Sequence, residues 1–210
     1  KVGKGDMYFH DATLCFQNWQ SCATCHPNDA RIDGLNWDLL NDGMGNPKNT
    51  KTLLLSHQTP PCMVTGIRKD AETAVRSGVK YILFGEGDDE VYEAIDEYLK
   101  SLKPLPSPYL QKGKLSKNAK KGKKIFEENC AGCHSGEYYT DKKQYEVGWT
   151  TGPDKGLKMD VPALNECWRT APYLYDGRCY SMKDMLKVHG PKKPVTDQEL
   201  EELEEYILSL

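Results

Sequence analysis

The sequence predicts a mainly α-helical protein built from two similar small domains, with long ordered loops and little or no sheet. Three observations predict it. The pentapeptide Cys22-Ala-Thr-Cys25-His26 recurs as Cys130-Ala-Gly-Cys133-His134. Each copy follows a short helical stretch and precedes, after a loop-rich segment, an amphipathic helix. A Pro-rich run, Pro104-Leu-Pro106-Ser-Pro108, separates the copies. No stretch alternates apolar and polar residues convincingly enough for a strand.

Taken in order, Gly5 to Asp11 reads as a short helix delivering the chain to the first motif. The segment after His26, through Asp42-Gly-Met-Gly45-Asn-Pro47, is rich in Gly, Asn and Asp and reads as ordered loop rather than sheet. Between Glu90 and Leu102, the residues Val91, Ile95, Leu99 and Leu102 recur at helical spacing, so this helix closes the first domain. The prolines then form a semi-rigid spacer. In the second half Ser116 caps a helix running towards Cys130, with Ala119, Ile125 and Phe126 available to pack, and Gly122 to Phe126 parallels the opening helix. Thr196-x-x-Glu199 is a capping-box pattern ahead of Leu200, Leu203, Ile207 and Leu210, the stripe of a last helix. The expected domains are 1–103 and 113–210, with 104–112 as linker. Thr59 to Gly66 can be laid over Thr170 to Gly177; these begin 33 residues after His26 and 36 after His134, which favours an internal duplication.

Two thiols and an imidazole in the order Cys-x-x-Cys-His point to a covalent c-type haem: the cysteines add across the vinyl groups and the histidine lies under the iron. The expected cofactors are therefore two covalently bound haems, attached through Cys22, Cys25, Cys130 and Cys133, with His26 and His134 as proximal ligands. A zinc or redox pair is the competing reading. Two copies of the motif, and too few remaining histidines and cysteines at zinc spacing, count against it. Haem attachment of this kind takes place outside the cytoplasm, so a periplasmic or otherwise extracytoplasmic location is expected. Lys1-Val-Gly-Lys4 is not a signal peptide, and a processed or excised chain is inferred. No run of about 18 or more apolar residues exists to span a membrane. The net charge of −3 gives no general pull towards nucleic acid. Lys112, Lys114, Lys117, Lys120, Lys121, Lys123 and Lys124 nevertheless cluster before the second motif, either as a solvated helix face or as a docking surface for an acidic redox partner. Four further cysteines suit an oxidising compartment. Cys167 and Cys179 can close one turn-rich segment, which leaves Cys15 with Cys62; free buried thiols are the other reading.

The chain resembles the diheme cytochrome c peroxidase and MauG family, in two cytochrome c-like haem domains. The resemblance covers nearly the whole chain. It rests on Phe9-x-Asp11, Asn49-Thr-Lys-Thr52, Ser107-Pro-Tyr109, Gly122 to Phe126, Val161-Pro-Ala-Leu-Asn165 and, most specifically, Trp168-Arg-Thr-Ala-Pro-Tyr-Leu-Tyr-Asp-Gly177. It implies that the far-side ligand of the second haem lies fourteen residues beyond the aromatic before Asp-Gly, which is His189; the family usually has Met or Tyr there. Met182 and Met185 are the fallback. The distal glutamate of the peroxidases falls within Ser77-Gly-Val-Lys80-Tyr81, where no Glu is present. Tyr81 follows His26 by 55 residues, as His189 follows His134, which makes Tyr81 a candidate ligand or distal acid for the first haem; His57 is the other candidate. The resemblance also implies a calcium ion held by Asn49, Thr170 and Pro172, and Trp19 or Trp168 near the haems. Modules of this type also resemble haem domains joined to β-propellers, so a larger complex is an expected partner.

Three functions follow. Electron transfer with a redox protein partner is favoured, because Lys80 replaces the expected Glu and peroxide cleavage needs a group that moves a proton. Asp29, Asp33, Asp38 and Asp42 are the acids available in the first loop. A peroxidase-like or other small-molecule redox enzyme with an open or Tyr-ligated first haem is the second. A haem subunit of a larger complex is the third.

Overall fold

The computed structural model describes residues 1–38 and 45–210. The chain divides into two compact units, Lys1–Lys103 and Pro104–Leu210.

In the first unit α1 (Val2–His10) is followed by two 3-10 turns, the one-turn helix α2 (Cys22–Cys25) and α3 (Pro27–Ala30). A two-residue ribbon pairs β1 (Asn36–Trp37) with β2 (Lys48–Asn49), antiparallel, Asn36 opposite Asn49. Next come α4 (Ala71–Ser77), which runs on into a π-helical turn over Gly78–Ile82, and α5 (Asp89–Ser101). The α5 start is set by the Asp88 carboxylate, which accepts the Val91 N–H, and by Asp89 and Glu90 in the first turn, where the helix dipole favours negative charge. Its inward stripe buries Ile95 and Leu99 with Tyr98 against Phe9 of α1 and Ala30.

The second unit repeats the plan. It contains α6 (Lys117–Asn129), an antiparallel ribbon of β3 (Gln144–Glu146) and β4 (Lys158–Asp160), α7 (Met182–Val188) and α8 (Asp197–Leu208). Ser116 accepts the Ala119 N–H to cap α6, and Thr196 and Glu199 form the reciprocal capping box of α8. Leu200, Leu203, Tyr206 and Ile207 pack with Ala119 and Phe126. The Pro-rich stretch is tied into this unit: Ser107 Oγ donates to the Leu208 carbonyl at 2.6 Å.

The duplication extends to single contacts. A Cβ added at Gly5 would lie 1.8 Å from the Ala94 carbonyl oxygen, and one at Gly122 would lie 1.8 Å from that of Glu202. Each opening helix therefore crosses its closing helix at a glycine, because no side chain fits between the backbones. Phe9 meets Tyr98 at 5.3 Å between ring centres, and Phe126 meets Tyr206 at 5.3 Å. Further along, Cys62 bridges to Arg68 as Tyr173 does to Cys179. Met63 and Leu174 share positive φ (74° and 70°), as do Gly66 and Gly177 (64° and 65°).

The two short ribbons are the little sheet expected, each too short for a period-two pattern to register in the sequence. Of the two readings left open for the four further cysteines, the structure has thiols and not disulfides at 15, 62, 167 and 179. Cys15 is buried with Val79 and Leu83, and the Cys167 thiol faces the Ile207 carbonyl at 3.1 Å, so each is held by its own core.

Candidate functional site

Both motifs sit at helix ends. Cys22 to Cys25 form the single turn of α2, whose N-terminal box joins Ser21 and Thr24, while Cys130 is the C-cap of α6. The turn brings each histidine back beside its cysteines: the His26 N–H bonds the Cys22 carbonyl, and the His134 N–H bonds that of Cys130, both at 3.0 Å. A carbonyl oxygen can only accept, so His26 Nδ1 donates to Arg31 O (3.2 Å) and His134 Nδ1 to Tyr139 O (3.0 Å). In both units this partner is five residues on. It fixes the tautomer and leaves Nε2 as the nitrogen that can bind a metal.

Burial sets the protonation of the group. It pushes the Cys22 thiol up to about 12 and those of Cys25 and Cys130 up to about 11. It holds His26 below the ordinary histidine value and His134 down at about 4, with His189 nearby adding to the effect on His134. His189 is lowered by burial as well. Neutral imidazole is the form that ligates metal.

The second unit brings its two histidines together. The rings of His134 and His189 have centres 6.2 Å apart and planes 66° from parallel. Two imidazoles binding one metal from opposite sides, each with a bond of about 2.0 Å and about 1.2 Å from nitrogen to ring centre, would have centres about 6.4 Å apart. Both rings line a cavity of about 70 Å³ with Cys133, Tyr145, Val147, Met159 and Pro162. Met182 and Met185, the fallback ligands, pack instead into the second core. Among the described residues no group of three or more His, Cys, Asp and Glu is gathered to hold an ion. The residues present fit covalent haem.

The first unit differs on the far side. Asp70 caps α4 as Ser181 caps α7, and each helix has seven residues, so the C-cap of α4, Gly78, occupies the place of His189. A Cβ built on Gly78 would meet nothing within 4 Å. Tyr81 lies three residues further on, in the π-helical turn, half exposed, with the Lys80 ammonium 5.4 Å from its ring centre. His57 is buried and donates from Nε2 to Asp96 Oδ1 at 3.0 Å, while Arg76 holds Asp96 Oδ2 at 3.1 Å. Of the loop acids, Asp33 accepts from Leu35 N, Trp37 Nε1 and Thr50 Oγ1 and so organises the ribbon. Asp29 and Asp38 are exposed, and Asp42 lies outside the described residues. Trp19 is exposed, and Trp168 packs on the second core beside Arg169. Of the ligands implied for calcium, Asn49 ends β2 in the first unit, and Thr170 and Pro172 follow a 3-10 turn in the second. Sequence reasoning missed Trp149, whose indole N–H reaches His189; a lone aromatic in a Gly-rich loop carries no periodic signal.

The cytochrome c family model matches residues 119–210. Hydrazine synthase subunit gamma of Kuenenia stuttgartiensis is 25% identical over the whole of this chain and 77% of its own length. Cytochrome c peroxidase Ccp of Escherichia coli is 25% identical over 90% of this chain, which spans 52% of that protein. Among solved structures, hydrazine synthase of K. stuttgartiensis superposes with a TM-score of 0.88 at 24% identity, covering 100% of this chain and 87% of that one. A MauG-like protein associated with microbial copper homeostasis gives 0.79 at 16%, covering 100% and 88%. The diheme peroxidase BthA of Burkholderia thailandensis gives 0.77 at 13%, covering 100% and 85%. The structural likenesses establish the shared fold. The family match makes residues 119–210 a cytochrome c domain, whose group is covalently bound haem c, and the chain as a whole is similar to cytochrome c peroxidase and to MauG-like and diheme peroxidase structures.

Proposed function

We propose that the chain holds two haems of unlike ligation and works as an extracytoplasmic, periplasmic electron-transfer subunit of a larger complex. In this reading His134 and His189 close both axial positions of the second haem, and His26 alone holds the first. The observation that carries it is Gly78 standing where the second unit has His189. Haem iron, when bound, supplies one-electron exchange and, at an open position, affinity for small ligands. Two neutral imidazoles favour exchange without substrate. A glycine offers no ligand, and the His57 ring is committed to Asp96. The same asymmetry favours a second reading, in which the first haem turns over a small oxygen or nitrogen species with electrons from the second. The peroxidase and hydrazine synthase relatives support it.

No helix of the described residues is long and apolar enough to cross a membrane. For a partner, α6 exposes Lys117, Lys120 and Lys124 opposite its buried face, a surface suited to an acidic redox protein, and the association should weaken as salt rises. The test of the haem assignment is the ferric spectrum with a cyanide titration. One low-spin haem and one cyanide-binding, high-spin haem per chain are expected. Two inert low-spin haems would remove the open first site, and two high-spin haems would remove His189 as a ligand.

A further inference from the structure

Beyond the Nδ1 bond of each proximal histidine, the two units repeat a second device atom for atom. Asp33 lies seven residues after His26, and Asp141 seven after His134. In each, one carboxylate oxygen accepts the backbone N–H two residues on: Leu35 N–H donates to Asp33 Oδ1 at 2.9 Å, and Lys143 N–H to Asp141 Oδ1 at 3.0 Å. The other oxygen accepts from an aromatic side chain four residues on, Trp37 Nε1–H at 2.7 Å in one unit and the Tyr145 hydroxyl at 2.6 Å in the other. The ribbons place both aromatics, Trp37 on β1 and Tyr145 on β3. Thr50, just past β2, adds a bond to Asp33 Oδ1 at 2.7 Å.

These carboxylates border the haem motifs. The Asp141 N–H donates to the Cys133 carbonyl at 2.8 Å, and Tyr145 lines the cavity shared by Cys133, His134 and His189. Burial lowers both His26 and His134, and the charge of Asp33 or Asp141 acts against it. We infer that Asp33 and Asp141 are potential-setting residues, each holding a negative charge beside its motif that favours ferric over ferrous iron; this rests on reading both motifs as haem sites. An Asx turn needs only the amide bond two residues on. The aromatic donor is the additional part, and it keeps the second oxygen from rotating away into water. Amide, indole, phenol and alcohol donors are all neutral, so they fix the carboxylates without supplying a counter-charge. Ferric haem carries one positive charge more than ferrous, so an anion fixed nearby lowers the midpoint potential, the more so where burial keeps the dielectric low. The axial ligation proposed above makes the two haems unlike, whereas this charge acts on both in the same direction.

The test uses the full-length holoprotein and reads its two midpoint potentials by optical redox titration. Asp33→Asn and Asp141→Asn keep an oxygen for the amide bond and remove the charge. Each is expected to raise one midpoint and leave the other, and the two variants are expected to move different ones. The ferrous-to-ferric ratio at a fixed potential should rise by up to about 10-fold, which is about 59 mV for one electron. Asp141→Glu, which keeps the charge, is expected to stay nearer the wild type. A purely structural role would lower the unfolding temperature of the Asn variants and leave both potentials unmoved; that result overturns the inference. Equal shifts at both haems overturn it too, as does Asp141→Glu matching Asp141→Asn. Covalent haem content separates this claim from the reading beneath it. Fewer than two haems per chain in the wild type removes the two-haem reading, and the inference with it for the unit that lacks one; two haems with unmoved potentials remove the inference alone. Asp141→Asn is the milder change, because its amide N–H can donate to the Tyr145 hydroxyl, whereas in Asp33→Asn an amide N–H would face the Trp37 N–H. The two sites lie in separate compact units, so if Asp33→Asn does not accumulate, Asp141→Asn decides.

Discussion

The two halves of this chain share a scaffold to the level of single contacts and differ where chemistry is decided. Gly5 and Gly122, Phe9 and Phe126, Tyr98 and Tyr206, and the Nδ1 bonds of His26 and His134 are matched one for one. After the paired bridges the match ends: His189, Tyr175 and Arg178 in one unit answer to Gly78, Val64 and Ile67 in the other. Scaffold residues are under packing constraint in both copies, because a backbone crossing leaves room for hydrogen alone. Position 78 carries no packing load, as the open space around a Cβ built there indicates, and is therefore where two copies of one fold can take different roles.

The largest expected effect comes from exchanging that difference. Gly78→His adds an imidazole at a helix C-cap where a Cβ meets nothing, so it should fold. It is expected to convert the first haem to six-coordinate, low-spin form and to weaken cyanide binding at least ~10-fold, or about 1.4 kcal/mol. His189→Gly is expected to do the reverse at the second haem. Optical and paramagnetic resonance spectra of both variants measure it. Wild-type cyanide affinity in Gly78→His would show that position 78 does not face the first iron.

Packing at the helix crossings comes next. Gly5→Ala and Gly122→Ala each force a Cβ to within 1.8 Å of backbone oxygen, which must shift. Overpacking of this severity costs about 3 kcal/mol or more. Thermal unfolding should show comparable losses for the two, since the crossings are alike. A loss at one site only would mean that the crossings are not equivalent.

How much of this could be read in the sequence depends on range. The helix-end placement of the two Cys-x-x-Cys-His motifs, the α5 stripe of Ile95 and Leu99 and the Thr196 box depend on residues within a few turns of each other, and all are found as expected. The far-side position depends on loop length between distant elements. The equal 55-residue spacing pointed to Tyr81. The second unit, however, holds three more residues between its histidine and the Thr-x-Pro turn, so the counterpart of His189 is Gly78. The same limit hid Asp96, which reads as one more acid on a polar helix face until His57 and Arg76 arrive from separate segments. Trp149 escaped because its partner lies 40 residues away in the chain.

The Asp96 network gives the first unit an acid sensitivity of its own. Burial raises the Asp96 carboxyl, and the hydrogen bonds from His57 and Arg76 outweigh it, so the net shift is downwards. A carboxyl held lower in the fold than its unfolded value of about 3.9 contributes stability above that pH, and the contribution fades as pH falls through the folded value. Asp96→Asn leaves Arg76 without its counter-charge and His57 Nε2 without a carboxylate acceptor, and should cost about 2–3 kcal/mol at neutral pH; half-exposed Arg76 keeps this below the loss for a fully buried pair. The cost should shrink towards pH 3 in denaturant titrations. A penalty independent of pH would mean that lost packing, and not charge, is what the variant reports.

The smallest effect separates the closing helices. Asp88 caps α5 through a single acceptor bond to Val91 N, whereas Thr196 caps α8 and also receives, at its own backbone N–H, the Glu199 carboxylate at 2.8 Å. Loss of an N-cap side chain costs ~1 kcal/mol. Asp88→Ala and Thr196→Ala should each cost about that, and Glu199→Ala should cost a few tenths because the cap bond from its own backbone N–H to the Thr196 hydroxyl stays. Glu199 also bonds the Thr196 hydroxyl at 2.9 Å, so Thr196→Ala removes two side-chain contacts against one for Asp88→Ala. Unfolding of the three variants under identical conditions should therefore place Thr196→Ala first, Asp88→Ala second and Glu199→Ala last. Equal losses for the first two would mean that the return bond is already satisfied by water once the cap is gone.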